Sequence, residues 1–164
     1  MTSLAVEEEI IKALQATPKY GTLCEETLVR MAHWVALRHK TPKDAIKAAK
    51  KKLHQAYGAY LESWDFRGVA REVAAIPTNP NPEKIRAICN SILKRHASTR
   101  ERSDIVEEAF PAVLQGLDHI ESVMDLACGL GPFMLPWIDP ENRFEYRCSD
   151  IDTRLADIEN EFLS

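Results

Sequence analysis

The sequence predicts an α/β chain that is mostly helical: a bundle of helices, then the opening strand, turn, helix and strand of a doubly wound parallel sheet. Three observations carry this. The stretch Val123-Met124-Asp125-Leu126-Ala127-Cys128-Gly129-Leu130-Gly131-Pro132 runs from apolar residues into a small-residue turn, and Pro132 opens a short helix. Asp150 follows Gly131 by nineteen positions and closes the alternating run Phe144-Glu145-Tyr146-Arg147-Cys148-Ser149. Ahead of Val123, apolar residues recur at helical spacing between capping and proline signals. Small residues let a ligand approach the backbone, glycine tolerates positive φ, and an acid about twenty residues on takes ribose hydroxyls in such folds. Turn and acid together point to a nucleotide-like cofactor. The turn alone is equally a plain strand end.

A chain of 164 residues suits one domain, or a helical domain and part of another. No run reaches the ~18 to 20 apolar residues of a membrane span, and Glu7, Glu8 and Glu9 stand where a leader would be basic. A cytoplasmic protein without a membrane partner is expected. Cys24, Cys89, Cys128 and Cys148 form no C-x-x-C pair, so they read as reduced, mostly buried thiols with no metal and no disulfide. The net charge of -4 hides a split: residues 1–100 hold 17 basic and 10 acidic side chains, and residues 101–164 hold 4 and 15. One part is built to meet a polyanion and the other is not.

In order, residues 4–15 read as a helix with Leu4, Ile10, Ile11 and Leu14 inward, stopped by Thr17-Pro18. Thr22 and Glu25 offer a capping box for a helix to about His39, packing Leu28, Met31 and Val35. Thr41-Pro42-Lys43-Asp44 starts another, running to about Tyr60 with Ile46, Ala49, Leu53, Ala56 and Tyr60 inside. Lys43, Lys47, Lys50 and Lys51 share its other face, with Arg38 and Lys40 just before it. From Arg30 to Lys52, eight basic residues stand against the single acid Asp44, which favours a nucleic-acid surface over a merely solvated face. Residues 65–75 form a helix with Phe66, Val69, Ala70 and Val73 buried, and the proline-rich stretch 77–82 is a loop. Asn81 caps a helix to about Arg95, packing Ile85, Ile88 and Ile92, so residues 1–95 make a bundle of about five helices. Ser98 or Thr99 caps a helix through Ile105, Val106, Phe110 and Val113, kinked at Pro111. Strands at 122–127 and 144–149 follow, then a helix capped by Asp152 with Leu155, Ile158 and Phe162 inward.

Three segments together carry a resemblance. They are Lys19-Tyr20-Gly21-Thr22-Leu23-Cys24 with Arg38-His39-Lys40-Thr41-Pro42-Lys43, then His96-Ala97-Ser98-Thr99-Arg100-Glu101-Arg102, then Asp125 to Pro132 with Ser149-Asp150-Ile151-Asp152. In this order they resemble the aminoglycoside-resistance 16S ribosomal RNA methyltransferases, which methylate N7 of a guanine in the decoding site. The end of the chain is most similar to the enzymes of antibiotic-producing actinomycetes. The resemblance implies a helical RNA-binding domain over 1–95 and the first β-α-β part of a Rossmann-like, S-adenosylmethionine-dependent methyltransferase domain over 96–164. It implies S-adenosyl-L-methionine as cofactor and 16S rRNA in the 30S ribosomal subunit as partner. His96, Ser98, Thr99 and Arg102 would line the methionine end, with Arg102 on its carboxylate. Ala127, Cys128 and Gly129 would form the backbone wall and Asp150 would take the ribose. Tyr60 either closes the pocket or packs at the domain join. Arg38, Lys40, Lys43, Lys47, Lys50 and Lys51 would face the RNA.

Two departures stand out. Gly131 replaces the asparagine usual in such enzymes, which is expected to loosen the turn and leave the site in place. The chain ends at Ser164, about a hundred residues earlier than these enzymes do, so it reads as an N-terminal portion, inactive alone. Guanine N7 has a lone pair and no proton, so no catalytic acid or base is expected. Two other readings remain: an inactive RNA-binding helical module, and a small-molecule methyltransferase with a helical cap, against which the basic stretch argues.

Overall fold

The protein is described by a computed structural model over residues 3–58, 64–78, 81–102, 105–114, 116–117 and 119–164. Tyr60, and with it the expected pocket-closing or packing role, lies outside these residues. The described chain is mostly helical, with one two-stranded parallel sheet. It forms two compact units, Met1–Ser63 with Ile151–Thr153, and Trp64–Asp150 with Arg154–Ser164. The division at 95/96 is thus corrected: the helices of residues 66–93 share a core with the strands' turn, not with the first three helices.

The first unit holds α1 (Ser3–Gln15), α2 (Glu25–Ala36) and α3 (Pro42–Leu53), which continues as a single π-turn, His54–Gly58. Ile10, Leu14, Leu28, Ala32, Val35, Ala45, Ala49 and Leu53 make its apolar core, while Leu4, read as inward, is exposed. Thr41 caps α3, its hydroxyl accepting from the Asp44 N–H at 3.2 Å, and Pro42 sits at the first position, as the sequence signals. The π-turn shifts the phase of the stripe: Tyr57 is buried and Ala56 is exposed, the reverse of an uninterrupted helix.

Thr22 does not cap α2. Cys24 occupies that position without a side-chain cap, and the Thr22 hydroxyl is buried without a partner. A distant segment accounts for this. Leu23 bridges Asp152 in antiparallel sense, and the Thr22 carbonyl accepts from both the N–H and the hydroxyl of Thr153 at 2.9 Å. The Tyr57 hydroxyl donates to the buried Asp152 carboxylate, which closes the unit.

The second unit holds α4 (Phe66–Ala74), α5 (Pro82–Leu93), α6 (Ala97–Arg100), α7 (Val106–Leu114), β1 (Ser122–Leu126), a 3-10 turn (Gly131–Met134), α8 (Leu135–Ile138), β2 (Glu145–Ser149) and α9 (Thr153–Leu163), whose first residue belongs to the other unit. Asp65 caps α4 and Asn81 caps α5, the latter as expected. The single helix expected from Ser98 onward is two, α6 and α7, and His96 is the cap of the first. Pro111 lies within α7. The core gathers Val69, Val73, Cys89, Ile92, Leu93, Val106, Leu130, Phe133, Met134, Leu155 and Ile158. Phe133 is fully buried and meets Phe162 with ring centres 4.8 Å apart.

The strands pair in register Ser122↔Glu145 to Leu126↔Ser149. Val123, Asp125, Tyr146 and Cys148 alternate inward. The opposite face carries Met124 and Leu126 at 60% and 72% exposure, so the sheet is covered on one side.

Candidate cofactor turn and basic helix face

β1 and β2 end side by side, and the chain leaves β1 through a tight turn. The Cys128 N–H donates to the Ser149 carbonyl at 3.1 Å, extending the pairing one step past the strands. Ala127 and Gly129 both adopt left-handed backbone, with φ of 56° and 54°, which tips the peptide planes of the turn. The Gly129 N–H then donates to Asp150 Oδ2 at 3.1 Å. A Cβ added at Gly129 would meet nothing within 4 Å, so this side of the turn is open to approach. Ala127, Cys128, Gly129 and Asp150, four of the residues singled out from sequence, therefore converge at the carboxyl edge of a parallel pair. Open α/β sheets bind ligands there.

Gly131 has a role the sequence did not disclose. A Cβ there would collide with the Asp125 carboxylate. Asp125 accepts from the Tyr146 hydroxyl at 2.6 Å, and the glycine makes room for that pair beneath the turn. The expected loosening at Gly131 is replaced by close packing. Burial first, and then the Asp125 carboxylate, pushes the Tyr146 phenol far above its ordinary range, so it remains a donor.

The run His96–Arg102 caps and anchors a short helix. His96 Nδ1 accepts from the Ser98 N–H at 3.3 Å and lies 2.7 Å from the Ser98 hydroxyl. Thr99 is buried, and its hydroxyl donates to the Leu93 carbonyl at 2.5 Å. These contacts lock α6 to the end of α5. Arg102 is exposed and makes no ion pair with a described residue.

Sequence reasoning also missed Glu159. It is 1% exposed, and its carboxylate accepts from the Cys128 thiol at 3.3 and 3.5 Å and from the Cys148 thiol at 3.8 Å. Burial pushes Glu159 up to about 8, with the Asp150 and Asp125 charges adding to the rise and the two thiols opposing it. A signal was available, since Leu155, Ile158, Glu159 and Phe162 fall on one helical face.

In the first unit the basic face is as the spacing predicts. Lys43, Lys47 and Lys51 are exposed, Lys50 is half-buried, and all lie opposite Ala45, Ala49 and Leu53. Among the described residues none of these lysines, nor Lys40, is in an ion pair. Asp44, the one acid of the stretch, is held by the Thr41 hydroxyl at 2.7 Å. Arg38 stacks 4.5 Å over the partly exposed Trp34 ring, adding an aromatic plane to the charge.

The family model described as "Ribosomal RNA methyltransferase (FmrO)" matches residues 16–164. The chain belongs to this family. The FmrO relatives include a 16S rRNA (guanine(1405)-N(7))-methyltransferase of Micromonospora olivasterospora, 35% identical over 87% of this chain and 47% of the relative. The enzyme of the same description from Micromonospora echinospora is 33% identical over 94% and 59%. Among solved structures, the 16S rRNA methylase RmtB aligns with a TM-score of 0.76 at 26% identity, covering 95% of this chain and 58% of that one. The 16S rRNA methyltransferase RmtF, solved in complex with S-adenosyl-L-homocysteine, aligns at 0.70 and 28%, covering 95% and 57%. The chain thus spans about half the length of the FmrO-type relatives it matches.

Proposed function

We propose that the protein is a 16S rRNA (guanine-N7)-methyltransferase that uses S-adenosyl-L-methionine and confers aminoglycoside resistance, acting on the 30S subunit in the cytoplasm. Under this reading the second unit carries the first β-α-β part of the Rossmann-like methyltransferase domain. The observation that carries the reading is the Gly129 N–H to Asp150 bond at the edge of two parallel strands, beside the left-handed Ala127–Gly129 turn.

The residues present fit such a cofactor. The open face at Gly129 admits a flat group against the backbone, and Asp150, anchored through Oδ2, is placed to accept from ribose hydroxyls. The cofactor, when bound, supplies an electrophilic methyl group. Guanine N7 attacks with a lone pair and loses no proton, so the chain's task is orientation and not acid–base chemistry. In a folded RNA, N7 lies in a deep narrow groove, so the target base must be unstacked to reach the turn. The Lys43–Lys51 face and the Arg38–Trp34 stack would hold the phosphates meanwhile.

Titration calorimetry with S-adenosyl-L-homocysteine tests the cofactor site. Asp150→Ala is expected to lose about 1.5–3 kcal/mol of binding, the range for hydrogen bonds to a charged group. Arg102→Ala is expected to lose a similar amount if the exposed guanidinium takes the carboxylate. Equal binding by wild type and both variants would overturn the site. The second reading, an RNA-binding module without transfer, is favoured by the unpaired lysine face. It predicts RNA binding with no S-adenosyl-L-homocysteine bound at all.

A further inference from the structure

We infer that Cys128, Cys148 and Glu159 form a three-donor site for one soft divalent cation of the zinc class, directly beneath the turn that follows β1. The three donors come from three different elements, the turn, β2 and α9, and all lie within 4.8 Å of one another. Their separations match the job. A tetrahedral zinc with its usual Zn–S and Zn–O distances sets a sulfur-to-oxygen edge of about 3.5–3.7 Å. The observed sulfur-to-carboxylate distances are 3.3, 3.5 and 3.8 Å.

The electrostatics point the same way. Among the described residues, Glu159 hydrogen-bonds only to the two thiols, and no basic side chain reaches it. Asp125 and Asp150 instead add negative potential from the strand ends. A buried acid with two thiols and two further carboxylates around it lacks a positive charge, and a cation supplies it. Two sulfurs among three donors select zinc-like ions over magnesium or calcium. Three protein ligands leave a fourth position open. The donors are also held in place: Cys148 is registered against Asp125 in the sheet, and the Cys128 N–H is tied to Ser149. The competing account is a metal-free cluster in which a neutral Glu159 accepts from two thiols. The sequence reading of all four cysteines as non-ligands is revised for these two alone.

The site stands apart from the cofactor reading, and its test needs no methyl transfer. Cobalt(II) added to the metal-free chain is expected to bind once and to give a sulfur-to-cobalt charge-transfer band. Zinc is expected to displace it without further proton release, whereas either ion added to the metal-free chain should release the thiol protons as both cysteines ionise. Cys148→Ser should halve the band, Glu159→Gln should weaken cobalt binding at least tenfold, and Cys24→Ser and Cys89→Ser should leave both unchanged. Should the cysteine variants not fold, the wild-type chain still decides. Zinc must then slow alkylation of Cys128 and Cys148, mapped by mass spectrometry, and not that of Cys24. Absence of the charge-transfer band, or its persistence in the Cys128→Ser/Cys148→Ser double variant, overturns the proposal.

Discussion

The two units put their charge in opposite places. In the first, the core is apolar apart from Tyr20, Tyr57 and Asp152, and the charge is displayed outward as an unpaired lysine face. In the second, acids and thiols lie inside, under a turn whose outer side is open. Outward charge acts at long range and is screened by salt, which suits a polyanion. Inward polar groups are costly without partners, so they persist where they hold a shape or a ligand. The unit proposed to meet RNA and the unit proposed to hold the cofactor thus look different at the level of burial, before any motif is consulted.

The largest expected effect tests whether the units are energetically separate. Phe133→Ala should cost the second unit about 3–5 kcal/mol, and Leu28→Ala should cost the first about 2–5 kcal/mol. Trp34 reports on the first unit and Trp137 on the second. In variants that lack Trp64 and retain either Trp34 or Trp137, each core change should move its own unit's urea transition further than the other's. Transitions that move equally would show one cooperative body and dissolve the contrast.

Glu159 sharpens the contrast through pH. Its folded value of about 8 lies above the ordinary 4.5, so the folded state keeps a proton that the unfolded chain has released in between. Stability contributed by this group is therefore present at low pH and lost as pH rises from about 4.5 to 8, by at most about 1.4 kcal/mol per unit. Asp125, Asp150, Cys128 and Cys148 surround it, and all but the thiols' hydrogen bonds push in the same direction. In chelator-treated buffer, Glu159→Gln should flatten the fall in stability between pH 5 and 8. Parallel slopes for variant and wild type would show that Glu159 is not the group responsible.

Caps separate local signals from distant ones. Thr41→Ala and Asn81→Ala should each cost about 1 kcal/mol. Thr22→Val should be neutral or slightly stabilising, because it removes a buried hydroxyl that has no partner. A destabilisation of about 1 kcal/mol at Thr22 would restore the capping box.

The smallest stability effect belongs to the lysines. Lys43, Lys47, Lys50 and Lys51 changed together to glutamine should leave the urea midpoint within about 0.5 kcal/mol. The salt dependence of 16S RNA binding should nevertheless flatten by roughly 0.7–0.9 for each phosphate that is no longer neutralised. An unchanged slope would make the face merely solvated.

What the sequence revealed depended on range. The strand–turn–strand and the Thr41 and Asn81 starts rest on neighbours within a few residues, and they were legible. Leu23 with Asp152, and α4 and α5 with Phe133, meet across the chain, and no local pattern announces such partners. The slip at Tyr57 arises from one extra residue in a turn, which a fixed 3.6 period cannot anticipate. At the candidate site, Asp150 was readable from spacing. The Asp125–Tyr146 pair was not, because strand register brings it together, and for Glu159 only its place on the inward helical face was readable, not the thiols it meets.

The return of Ile151–Thr153 to the first unit has a consequence in time. The hydroxyl of Thr153 reaches the Thr22 carbonyl across 131 positions, and Tyr57 meets Asp152 across 95. Such pairings raise contact order and close late. At about 5–20 residues per second of synthesis, α1 to α3 emerge roughly 5–20 s before the segment that completes them. During that interval the Thr22 carbonyl and the Cys24 N–H wait for Thr153 and Ile151, and the nascent helical unit must hold together on its apolar core without them.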